Sequence, residues 1–149
     1  MIKLIIFDWG RTLYDNDNNR LFPESIQILD TLSKKYQLAI CSLAKDGNSE
    51  RRWNVFRENN LEKYFTSILF TQDDKDKLYQ ETVSKLAINP KHILIVDDRI
   101  IRGIAWGNKH KTKTVWVKQG KFSQELPTEE TGKPTYIIKK VAELLNLTF

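Results

Sequence analysis

Apolar residues gather in short runs along this chain, and each run is followed by a stretch of helical periodicity. Ile2, Leu4, Ile5, Ile6 and Phe7 make the first run, interrupted only by Lys3 and closed by Asp8. A run that short, rich in β-branched and aromatic residues, predicts a buried strand. Leu38 to Ser42, Ser67 to Phe70, His92 to Val96 and Thr114 to Val117 repeat the pattern and predict four more. Between them, Pro23 and Glu24 open a helix with Ile26, Ile28, Leu29 and Leu32 on its apolar face, since Pro is tolerated in a first turn. Gly47-Asn48-Ser49 leads into a charged helix whose Trp53, Val55 and Phe56 face inward. Thr71 to Asp74 caps a third helix carrying Leu78, Tyr79, Val83 and Leu86, which stops near Asn89-Pro90. Ile100 to Asn108 predicts a short helix with Ile101, Ile104 and Ala105 inward, and Tyr136 to Leu145 a final amphipathic one. The Asn-rich segment 15–20 and the aperiodic Gly120–Pro134 stretch predict a short flap and a surface loop or lid edge. Strands alternating with helices imply an α/β fold. The expectation is a doubly wound, five-stranded parallel sheet with helices on both faces, in one domain over residues 1–149.

Composition narrows the class only a little. At 149 residues, with 40% hydrophobic and 29% charged residues, the chain can build a core without staples. No apolar run approaches the roughly 20 residues that span a bilayer. The lone Cys41 cannot close an internal disulfide, which suits a reducing, cytoplasmic setting. A net charge of +5 favours anionic ligands. The excess is spread along the chain, so it is compatible with nucleic acid without singling it out.

The polar residues at the ends of the predicted strands change the picture. Asp8 and Ser42 end the first and second strands, Asp97-Asp98 follow the fourth, and Lys75 or Lys77 stands near a helix start. In open α/β sheets ligands bind at the carboxyl ends of the strands. With the first and fourth strands adjacent and the second on the other side of the first, these groups meet in one crevice. Carboxylates brought together from two strands repel unless a cation lies between them, and hard oxygen ligands suit Mg²⁺. A hydroxyl and an ammonium beside them can hold phosphate oxygens, and a carboxylate in line with that phosphate can attack it. Each residue also has a plainer reading: a turn for Ser42, a solvated helix face for the lysines, a helix cap for Asp97 or Asp98.

In this order the residues resemble the motifs of the haloacid dehalogenase (HAD) superfamily. Phe7-Asp8-Trp9-Gly10-Arg11-Thr12-Leu13 is similar to its first motif, whose leading Asp is nucleophile and metal ligand. Ser42 matches the second, Lys75 (or Lys77) the third, and Val96-Asp97-Asp98 the two-acid form of the fourth. The resemblance implies Mg²⁺ held by Asp8, the Gly10 carbonyl, Asp98 and the neighbouring Asp97, and a phosphoryl group bound by Ser42 and Lys75. It further implies a Mg²⁺-dependent phosphatase working through an aspartyl-phosphate on Asp8.

Three departures qualify that expectation. Where phosphatases of this superfamily carry a second Asp as general acid and base, this chain has Gly10, so a contribution typically worth about 10²–10⁴-fold is missing. The next position, usually Gly, is Arg11, a candidate phosphate-binding charge, and Arg102 stands where many members have another acid. The short flap and the direct run from Phe70 to Lys75 leave no room for a cap domain, and an open site suits a bulky or macromolecular substrate, or one covered by a partner subunit; the expected partner is a phosphorylated substrate, small or macromolecular. The alternatives are a phosphate- and metal-binding regulatory module without turnover, and a nucleic-acid binder using Lys109-His110-Lys111-Thr112-Lys113.

Overall fold

Parallel pairing organises the molecule. The structure, a computed structural model, describes residues 1–149 apart from the side chain of Asp46. Strands β1 (Leu4–Phe7), β2 (Gln37–Leu43), β3 (Ser67–Thr71), β4 (Ile93–Asp97), β5 (Lys113–Val117) and β6 (Tyr136–Ile138) form one sheet. Their order is β3-β2-β1-β4-β5-β6, with every neighbouring pair parallel. Because successive β1 side chains alternate between faces, Ile5 and Phe7 enter one core layer and Leu4 and Ile6 the other. Ile28, Leu29 and Leu32 of α1 (Ser25–Ser33) and Phe56 of α2 (Ser49–Glu58) cover the first face. Leu78 and Tyr79 of α3 (Lys75–Leu86) and Trp106 of α4 (Ala105–Lys109) cover the second. The chain winds outward from β1 to β3, then crosses back to β4, so the helices change face at that return. Each fully buried aliphatic side chain in these layers contributes on the order of 1.5–3 kcal/mol relative to exposure.

The sheet has six strands rather than the expected five, and the difference lies at the carboxyl end. Tyr136 to Ile138 is strand, not the first turn of a helix, and Val141–Asn146 follows as a 3₁₀ turn. Ile138 is buried while Ile137 is 57% exposed, the alternation of a strand with one covered face. Pairing with β5 decides the conformation, because β-branched and aromatic residues fit a pleated edge well. Val141 and Leu144, three apart, then close over the α1 face.

Two other elements differ in detail. The 100–108 segment is kinked at Arg102 before α4 begins. Ile100, Gly103, Ile104, Trp106 and Gly107 are its buried residues, whereas Ile101 is exposed. Ile26 of α1 likewise faces outward. The flap is a two-stranded hairpin pairing Tyr14–Asp15 with Arg20–Leu21.

Candidate active site

The crevice opens where the winding reverses, between β1 and β4. Asp8 leaves the end of β1, and its amide donates to the Val96 carbonyl at 2.9 Å, which locks it beside the end of β4. Asp97 ends β4 and Asp98 follows, its carbonyl accepting from the Trp116 indole at 3.0 Å. Ser42 lies near the end of β2, on the other side of β1. Lys75 is the first residue of α3, whose N-cap, Asp74, accepts from the Asp76 amide at 3.0 Å. Asp8, Gly10, Arg11, Ser42, Lys75, Asp97 and Asp98 therefore line one cleft of about 370 Å³. Lys77, the other lysine of the pair, is exposed on α3.

Lys75 is the electrostatic centre of the cleft. Its ammonium donates to Asp8 Oδ1 at 2.8 Å and to Asp97 Oδ2 at 2.6 Å, with all three groups buried. Burial alone would favour the neutral amine, but the two carboxylates hold Lys75 well above the usual lysine range. Asp97 is the fixed partner. Burial opposes its charge, yet Lys75 and the backbone N–H groups of Arg99 and Gly103, both at 2.9 Å, keep it below the ordinary aspartate value. Tyr79 adds a hydroxyl donor at 3.2 Å. Asp8 is less completely satisfied: burial raises it against the pull of Lys75, and Thr12 offers only a long contact of 3.5 Å.

Asp98 differs from both. Its Oδ2 is buried without a hydrogen-bond partner, and burial together with Asp8 and Asp97 pushes the carboxyl up to about 9. Oxygen atoms of Asp8, Asp97 and Asp98 lie within 4.8 Å of one another. A hard divalent cation fits this set, since it would take the orphaned oxygen and offset three crowded acids.

Ser42 carries a partner that sequence reasoning did not single out. Arg52 Nη1 donates to Ser42 Oγ, which leaves the hydroxyl proton free to donate into the cleft. Helical spacing carried the signal, because Arg52 lies one turn before the buried Phe56 of α2 while the adjacent Arg51 is exposed. Asn16 also went unremarked. A Cβ on Gly10 would stand 3.2 Å from its Oδ1, so a flap amide fills the space next to the absent acid. The 118–134 loop is a wall of the cleft: Gln119 Nε2 donates to the Arg11 carbonyl at 2.8 Å, and Glu125 takes the Ile100 amide at 2.6 Å.

Comparison with known proteins fits this geometry. A family model described as HAD-hydrolase-like matches residues 75–144. A glyceraldehyde 3-phosphate phosphatase of Pyrococcus furiosus is 24% identical over 107 residues, covering 68% of this chain and 44% of the relative, so the chain spans less than half of that protein. The mitochondrial phosphatidylglycerophosphatase GEP4 of Saccharomyces cerevisiae is 23% identical over 143 residues, 91% of this chain and 77% of the relative. The crystal structure of a HAD phosphatase from Thermococcus onnurineus superimposes with a TM-score of 0.75 at 14% identity, over 97% of each chain. The family match over residues 75–144, just under half of the chain, and the likeness of fold over nearly its whole length both liken the chain to proteins of the haloacid dehalogenase (HAD) superfamily.

Proposed function

We propose that the chain is a single-domain, capless phosphatase that hydrolyses a phosphate monoester through a covalent intermediate on Asp8. One observation carries the reading: Lys75 bridges Asp8 and Asp97 beside the unpartnered Asp98 oxygen. Asp8, Asp98 and the Gly10 carbonyl would hold Mg²⁺, with Asp97 behind them; when bound, the ion screens the charge between the nucleophile and the phosphoryl oxygens. Lys75 keeps Asp8 ionised and oriented, and Ser42, held by Arg52, donates to a phosphoryl oxygen. An Asp8 carboxylate oxygen forms a bond to phosphorus as the ester P–O bond breaks. Water then attacks phosphorus, releasing orthophosphate and regenerating the carboxylate. Gly10 has no proton to give the departing oxygen, so leaving groups that need none are favoured. The lone Cys41, buried and pushed up to about 12 by burial, is consistent with a cytoplasmic setting.

Hydrolysis of p-nitrophenyl phosphate is the direct test. It should require Mg²⁺, stop with EDTA and disappear in Asp8→Asn; activity unchanged by that substitution overturns the reading. The regulatory alternative draws on the Gly10 site. Asn16 is exposed, so it can shift the few tenths of an ångström that Gly10→Asp requires. If Gly10→Asp creates turnover where the natural chain has none, the natural chain is a binding module.

A further inference from the structure

The outer wall of the cleft holds more positive charge than one phosphoryl group can use. Three cations gather on Phe122: the guanidinium carbons of Arg99 and Arg11 lie 3.6 and 5.6 Å from its ring centre, and the Lys121 ammonium 5.5 Å. Attraction to the ring offsets only part of the repulsion among like charges brought so close. Glu125 neutralises Arg99, but among the described residues Lys121 and the nearby Arg102 make no ion pair, and Arg11 reaches only Asp17 at 3.9 Å. Arg11 Nε is buried with no partner.

Arg11 is also costly to place. Its φ of +58° puts a side-chain-bearing residue in the left-handed region, which residues other than Gly rarely adopt because the Cβ crowds the carbonyl oxygen. What the strain secures is a guanidinium at the mouth of the cleft, packed against Gly120 and fixed by the Gln119 contact to its carbonyl. The 118–134 loop, tied down by Glu125, makes the arrangement preorganised rather than incidental.

We propose that Arg11, Arg99 and Lys121 form a second anion subsite, so that the substrate is a small phosphate ester carrying a second anionic group, either phosphate or carboxylate. For its reacting half this rests on the phosphatase reading; the binding half does not. The basic turn at Lys111 and Lys113 feeds the start of β5, at the opposite edge of the sheet from the cleft. That turn therefore does not extend the cationic wall at the cleft mouth, which stays short and suits a small ligand.

The test is calorimetric binding to the 149-residue Asp8→Asn chain in Mg²⁺, with fructose 1,6-bisphosphate, 3-phosphoglycerate and fructose 6-phosphate as probes. At least one of the two doubly anionic probes should bind about tenfold or more tightly than fructose 6-phosphate, and which one does so separates phosphate from carboxylate. Lys121→Ala and Arg11→Gly should each cut that ratio about fivefold; the first residue is exposed and the second change relieves the left-handed strain, so both chains should fold. A ratio near one, or variants that weaken all three probes equally, overturns the subsite. A 5′-phosphorylated oligonucleotide binding more tightly than every small probe also overturns it. If the natural chain hydrolyses no ester yet the ratio and its loss in both variants persist, the subsite stands and the phosphatase reading fails.

Discussion

Lys75 shows how much of this site hangs on one side chain. Its ammonium is buried between two carboxylates that are themselves buried, so removing it strands charge with no solvent to receive it. Breaking such a buried pair typically costs about 3–5 kcal/mol. Lys75→Met should therefore lower unfolding free energy by about that much in urea titrations and abolish turnover. A loss below about 1 kcal/mol would mean that the ammonium is not the partner these acids depend on. Lys75 and Lys77 are equivalent in sequence, because both lie at a charged helix start. The structure separates them through helix rotation: the first residue of α3 turns into the crevice and the third turns out.

Among the elements, the kinked segment after β4 is tied most tightly to the site. Gly103 passes so close beneath Asp97 that a Cβ there would stand 2.5 Å from both Asp97 Oδ2 and the Tyr79 hydroxyl. Its N–H also donates to that same carboxylate oxygen. Gly103→Ala should destabilise the fold by about 1–3 kcal/mol, the usual cost of overpacking, and lower activity further by displacing Asp97 from Lys75. Thermal unfolding and turnover of the one variant check both, and an alanine tolerated without change in either would show that the approach is looser. Periodicity predicts a short helix here but misses the kink, and it places the exposed Ile101 inward. The closing strand β6 is missed for a related reason. Tyr136-Ile137-Ile138 is too short to show its period, and only pairing with β5 selects strand over helix.

At the scale of the whole molecule, the crowded acids tie stability to pH. Asp98 titrates at about 9 in the folded, ion-free chain, against about 3.9 for a free aspartate. Between those values the folded state keeps a proton that the unfolded state has lost. Stability of the ion-free protein therefore falls as pH rises through that window. A divalent cation at the proposed site would bind the ionised carboxyl and offset the loss by mass action. The rise in melting temperature caused by millimolar Mg²⁺ should be larger at about pH 8.5 than at about pH 6, and Asp98→Asn should flatten the difference. An equal rise at both pH values would place the ion elsewhere.

Read alone, the sequence determined the α/β class, the parallel alternation of strands and helices, and the candidate acids and hydroxyl of the crevice, while leaving two lysines open. Those features are local: a buried strand needs its apolar run, and a polar residue at the end of such a run stands out against it. The tertiary structure alone decided which acid is satisfied and which is left open, and that Arg52 holds Ser42. It also set Arg11, Arg99 and Lys121 around Phe122. Each of these depends on residues brought together from distant parts of the chain by sheet order and loop anchoring. Hydrogen-bond saturation and charge crowding are properties of that packing, and no spacing along the chain encodes them.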